Sequence, residues 1–165
     1  MLAGQDLPVP DSYLRLIPAA IADAIMVTTS LARKRFAVAC ANIAVEHCVR
    51  AGLGVDGDGD MTFPQLLDRV LAAGEPRQTE ELDRMLGRRE DHLYGLVSAL
   101  RANDNEAPYS EFLRLATQRH TIRVLRAALL SDGLSAAARA AFETISATRN
   151  EQHIEALARE TMRPA

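Results

Sequence analysis

The chain has 165 residues and a mass of 18.0 kDa, which suits one domain or at most two very small ones. Hydrophobic residues make up 48% and charged residues 25%, values that exclude a disordered chain, and a net charge of -3 leaves no basic excess to indicate a nucleic-acid-binding protein. Strong helix formers dominate, with 28 Ala and 21 Leu beside 4% aromatics and no Trp, so we predict an all-α fold.

The first predicted elements are an extended arm over residues 1–10 and a helical region over residues 11–50. The arm contains two prolines, and Asp11 is a suitable N-cap for the helical region. Because Pro18 falls within the second turn or marks a restart, the region is either one long helix or two helices in series.

The later helices are separated by short turns rich in Gly, Asp, Asn and Pro. Thr62, Thr79 and Ser135 are predicted to open three of them. We predict helices over residues 62–73, 79–102, 109–130 and 135–162. Because short turns favour antiparallel neighbours, the sequence indicates an antiparallel bundle of four to five main helices, as a single domain over residues 11–163.

Polar residues interrupt the apolar faces of these predicted helices. In the helix over residues 79–102, Arg89 is the only polar member of a leucine stripe, and His92 lies at its edge. Helical spacing brings Arg149 and His153 onto the inner face of the last helix. In the first region, the apolar seam continues into Glu46 and His47.

His120 lies among apolar residues of the helix over residues 109–130, which carries a second apolar stripe. Two stripes predict either a central helix or a dimer face, and we predict a homodimer. His92 and His120 lie at similar distances from the break near residues 104–107, so an antiparallel hairpin would bring them roughly level.

A guanidinium in an apolar seam needs an anionic partner or a route to water, because it cannot lose its proton. One interpretation is structural: Arg89 and Arg149 pair with carboxylates such as Glu46 or Glu143, or reach the rim. The other is a polar interhelical pocket for an anionic ligand or a partner carboxylate. Its predicted lining is Arg89, His92, His120, Arg149, His153 and Glu46.

The remaining motifs favour neither a metal site nor a disulfide. No Glu stands three residues before a His, as a carboxylate-bridged di-metal bundle requires, and we predict no metal and no cofactor. The acidic loop over residues 55–60 begins like an EF-hand but has Met61 at the required glycine position. Cys40 and Cys48 lie about 12 Å apart along one helix, too far for a disulfide, and are predicted to be buried.

Two other classes of function stay open from the sequence. An all-helical enzyme would be either ribonuclease-like, using Arg114 and His120, or an acid-base catalyst using Glu46, His120 and His153. A pair with the spacing of Arg114 and His120 is expected by chance in so arginine-rich a chain, so it identifies no family. The third class is a structural or assembly subunit.

The predicted location is the cytoplasm, with no membrane segment. Residues 1–10 lack a basic start followed by an apolar core, so they do not resemble a signal peptide. Arg33, Lys34 and Arg35 interrupt the longest apolar run before it reaches the length needed to span a bilayer.

Overall fold

All regular structure in the described residues is helical, which confirms the predicted all-α bundle. The computed structural model describes residues 13–53, 61–102, 109–130 and 133–163. A helical turn at residues 13–16 precedes seven helices. They are α1 (Ala19–Val27), α2 (Ser30–Arg50), α3 (Phe63–Ala72), α4 (Pro76–Ala102), α5 (Tyr109–Leu129), α6 (Leu134–Thr148) and α7 (Glu151–Thr161). The predicted arm at residues 1–10 and the whole acidic loop over residues 55–60 lie outside the described residues.

The predicted restart at Pro18 is confirmed, but the first helical region is broken a second time, which neither alternative included. Pro18 interrupts it before α1 and stands at the N-cap of that helix with φ -55° and ψ 142°. A second break at Thr28 and Thr29 separates α1 from α2, and the Thr29 hydroxyl accepts a hydrogen bond from the amide of Ala32 at 3.2 Å. This cap explains why the chain restarts a helix there.

Local hydrogen bonds also fix the starts of α3 and α4. As predicted, Thr62 caps α3, and it forms a reciprocal capping box with Gln65. The predicted start of α4 at Thr79 is wrong, since the helix begins one turn earlier at Pro76. Proline is favoured in the first turn because its missing N–H has no intrahelical partner there, and the side chain of Gln78 accepts from two amides before the helix.

Helix α5 is the centre of the bundle. Contacts of Lys34 with the Ala128 carbonyl and of Cys48 with Thr121 show that α5 runs antiparallel to α2. It also packs against α3, α4 and α6. Its two apolar stripes are therefore covered by helices of the same chain, which is the central-helix alternative.

The predicted single helix over residues 135–162 is wrong, because the chain breaks between α6 and α7. Arg149 adopts the left-handed conformation with φ 57°, which ends α6. Asn150 then caps α7 by accepting from the amide of His153 at 3.2 Å. The break turns the side chains of Arg149 and His153 outward, and both are exposed rather than on an inner face.

Both cysteines are buried and unbridged, as predicted. Cys40 lies on α2 and its side chain is completely buried in the core of the bundle. Burial raises the pKa of its thiol to about 12 from an ordinary value of 9.0. Burial also raises the pKa of Cys48, whose sulfur lies 3.1 Å from the Thr121 hydroxyl.

We expect Cys40 to make stability fall at alkaline pH. Above pH 9 the unfolded chain releases the thiol proton while the folded chain keeps it, so folding loses about 1.4 kcal/mol per pH unit from this group until the pH nears 12. The measurement is the free energy of unfolding of wild type and Cys40→Ala at pH 6, 8 and 10. Their difference should stay constant from pH 6 to 8 and shift by about that amount at pH 10; a constant difference throughout would contradict the expectation.

In the part of the chain that the structure describes, no helix has the length and apolarity needed to cross a membrane.

Candidate functional site

Of the residues predicted to line one pocket, Arg89 and His120 reach the interior of the bundle. Arg89 is 6% exposed, which confirms its predicted burial, and its Nη1 donates to the Met61 carbonyl at 3.1 Å. His120 is half-buried between α5 and α6. Of the six predicted lining residues, only Arg89 and His120 therefore lie in the interior, as predicted.

The other predicted lining residues are on the surface. Glu46 is exposed and forms an ion pair with Arg50 at 3.6 Å, one turn along α2. The exposed His92 lies on α4, whereas Arg149 and His153 lie at the junction of α6 and α7. Four of the six predicted residues thus contribute to no interior cavity.

The interior polar site is built around Glu143, a carboxylate with no exposed surface on α6. Its Oε2 lies 2.5 Å from Nδ1 of His120, and its Oε1 lies 3.2 Å from Nη1 of Arg123. A buried carboxylate is stable only when cations or hydrogen-bond donors compensate it. Both compensating groups come from α5, spaced three residues apart on one face.

From Arg123 the charges continue in an alternating chain to α4. Glu90 forms an ion pair with Nε of Arg123 at 3.7 Å and accepts a hydrogen bond from Nη1 of Arg126 at 3.1 Å. Arg126 also forms a two-pronged pair with Asp83, at 2.8 and 3.3 Å. The hydrogen bonds that Arg126 donates to Asp83 are the main reason that the pKa of Arg126 lies above its ordinary value.

Two uncharged residues, Gly87 and Tyr13, lie against the arginines of this charge network. A Cβ atom at Gly87 would lie 3.4 Å from Cζ of Arg126, so the glycine leaves room for the guanidinium against α4. Nη2 of Arg123 donates to the Tyr13 hydroxyl at 3.3 Å, and the Tyr13 ring packs edge-on against Phe142. The network therefore joins the segment before α1 to α4, α5 and α6.

The second ring nitrogen of His120, Nε2, faces water. The side chain is 24% exposed, and Nε2 is neither hydrogen-bonded nor among the buried unpaired atoms of the described residues. A carboxylate on Nδ1 fixes the orientation of an imidazole and leaves Nε2 for chemistry. The arrangement can present one ring nitrogen as a proton acceptor or nucleophile.

A separate groove of about 460 Å³ lies between α3 and α4. Apolar side chains line part of it, with Leu82 and Met85 from α4, while Arg69 from α3 and Arg88 from α4 add two cations. Neither arginine forms an ion pair with a carboxylate within the described ranges. The groove thus offers an apolar surface and positive charge from both walls.

The comparisons with known proteins identify no relative: no family model, no curated protein and no solved structure matches the chain. Across residues 13–53, 61–102, 109–130 and 133–163, no group of three or more His, Cys, Asp or Glu is placed to hold a metal ion.

Sequence reasoning named Glu143 as a partner carboxylate but missed Arg123, Arg126, Glu90 and Asp83. The sequence feature that indicates these four residues is the spacing of charges on two neighbouring helices. Asp83 and Glu90 lie two turns apart on α4, and Arg123 and Arg126 lie one turn apart on α5. Acidic and basic stripes on antiparallel neighbours predict interhelical pairs, whereas a search for interrupted apolar stripes passes over them.

Proposed function

We propose that this protein is a binding module that holds a small anionic molecule with an apolar body in the groove between α3 and α4. The proposal keeps the ligand class predicted from the sequence and moves its site to a different pair of arginines. The observation that carries it is that Arg69 and Arg88 line a partly apolar groove without a carboxylate partner in the described chain.

The groove has the size and chemistry of a ligand site. Its volume of about 460 Å³ lies within the range of about 300–1,000 Å³ typical of small-molecule sites. Two guanidinium groups favour a carboxylate or a phosphate through charge-assisted hydrogen bonds. Glu81 also lines the groove, but its charge is paired with Arg77 at 3.3 Å, so the net field in the groove is positive.

The groove is open because α3 and α4 diverge after their short turn. Helix α3 packs its buried face, which includes Phe63 and Leu66, against α2 and α5, and makes little contact with α4. The apolar surface of Met85 therefore stays partly uncovered between the two helices, beside the buried Leu82. Filling it with the apolar body of a ligand would bury that surface.

We expect the protein to bind octanoate more tightly than octanol or octylammonium, which have the same tail and a neutral or cationic head. Binding is measured by isothermal titration calorimetry below the concentration at which these amphiphiles aggregate. Because a hydrogen bond to a charged group contributes about 1.5–3 kcal/mol, Arg69→Ala and Arg88→Ala should each weaken octanoate binding about tenfold or more.

Arg159→Ala is the matched control, since Arg159 is an exposed arginine on α7, away from the groove. It should leave the dissociation constant unchanged. Equal affinity for the three head groups, or equal affinity of all three arginine variants, would remove the proposal.

The homodimer and the cytoplasmic location stay predictions. The two-sided face of α5 that suggested a dimer is covered within the chain, so sedimentation velocity at working concentration is the test of the dimer. A monomer throughout the concentration range would contradict it.

The enzyme hypothesis stays a second candidate, because His120 has a buried carboxylate partner. The predicted partners differ from those in the structure: Arg114 is exposed and pairs with Glu111 at 3.9 Å, and Glu46 pairs with Arg50. Glu143 is the residue that contacts His120.

A further inference from the structure

The pair formed by His120 and Glu143 supports a chemical role that does not depend on the groove. The imidazole is held at Nδ1 by a fully buried carboxylate at 2.5 Å, while Nε2 is open to solvent. Fixing one nitrogen and exposing the other removes the rotational freedom that an ordinary surface histidine has. The residue is thus oriented for attack in a single direction.

We infer that Nε2 of His120 is an acceptor for a phosphoryl group supplied by an acyl phosphate. The Nε2 lone pair attacks phosphorus and forms a P–N bond, while the P–O bond to the acyl group breaks and the carboxylate leaves with the electron pair. The proton on Nδ1 stays in place, donated to Glu143. The ring thereby becomes a phosphorylated imidazolium, and no base is needed to remove a proton.

The carboxylate of Glu143 favours this step because it stabilises the positive charge that develops on the ring. The carboxylate alone would repel an incoming phosphoryl dianion, and Arg123 offsets that repulsion by pairing with Oε1 at 3.2 Å. A further cation, Arg139, lies one turn before Glu143 on α6, and its buried Nε has no hydrogen-bond partner among the described residues. The surroundings therefore suit a phosphoryl group better than a neutral acyl group.

The test compares histidines within one chain. The wild-type protein is incubated with acetyl phosphate, and phosphohistidine is assigned by mass spectrometry and by phosphorus NMR under alkaline conditions. We expect His120 to react about tenfold faster or more than the exposed His153, which corresponds to about 1.4 kcal/mol. Equal rates at the two positions would overturn the inference, as would acetylation of His120 in place of phosphorylation.

Two variants separate the role of the dyad from that of the fold. His120→Gln should lose the fast phosphorylation and leave the slow reaction at His153 unchanged. Glu143→Gln keeps a hydrogen-bond acceptor without the charge, so the rate at His120 should fall to that of His153. If Glu143→Gln unfolds, the comparison of histidines in the wild type decides; if it folds and keeps the full rate, the stated role of Glu143 is wrong.

Discussion

Glu143→Ala is expected to lower the free energy of unfolding by about 3–5 kcal/mol, because it removes one partner of a buried charge pair. The side chain has no exposed surface, and its loss leaves Arg123 and His120 without the charge they face across the interface between α5 and α6. The small alanine side chain also leaves a cavity. Urea unfolding followed by circular dichroism gives the value directly.

The matched control is Glu46→Ala on α2. Glu46 has an ion pair of the same chemical type with Arg50, but both side chains are well exposed and the atoms are 3.6 Å apart. Its removal should cost about 0–1 kcal/mol, since water screens exposed pairs. Equal losses for Glu46→Ala and Glu143→Ala would show that Glu143 is not held as a buried charge.

Phe36→Ala is expected to cost about 3–5 kcal/mol, the range for deleting a fully buried aromatic side chain. Phe36 is completely buried on α2, the helix that contacts α3, α5, α6 and α7. The change removes apolar contacts from a core shared by these helices and leaves a cavity that rigid helices cannot close. Thermal and urea unfolding measure the loss.

Val49→Ala is the control for Phe36, because Val49 lies on the same helix and is 49% exposed. Its effect should stay within about 0.5 kcal/mol. A loss at Phe36 no greater than that at Val49 would mean that α2 does not pack as the structure shows.

The parts of the fold that could be predicted from the sequence are those fixed by local chemistry. The capping box of Thr62 and Gln65 requires only neighbouring residues, so α3 was predicted with its correct start. The stripe of Leu82, Leu86 and Leu93 likewise reports the buried face of α4. In both cases the signal lies within one helical turn or repeats from turn to turn.

The break at Arg149 was missed, because the left-handed residue that ends α6 is not a glycine. Asn150 followed by Glu151 was the available signal, since an N-cap and an acid in the first turn mark a helix start. This signal was overlooked because apolar residues continue at helical spacing on both sides of the junction between α6 and α7. The error moved Arg149 and His153 from the surface to the interior.

The charge network was hidden for a different reason. Which carboxylate meets which guanidinium depends on how α4, α5 and α6 align, and a sequence alone does not fix that register. Arg89 illustrates what the sequence can and cannot predict. Its burial follows from its place in the leucine stripe, but its contact with the Met61 carbonyl depends on how the chain enters α3.

A double-mutant cycle on Arg123 and Glu143 tests most directly whether a buried carboxylate on α6 is held by a cation from α5. The four free energies of unfolding are those of the wild type, Arg123→Met, Glu143→Gln and the double variant. The pair should show a coupling of at least about 1 kcal/mol, with the double variant losing less than the sum of the single losses. Losses that add to within about 0.3–0.5 kcal/mol would contradict the account, because independent residues behave in that way.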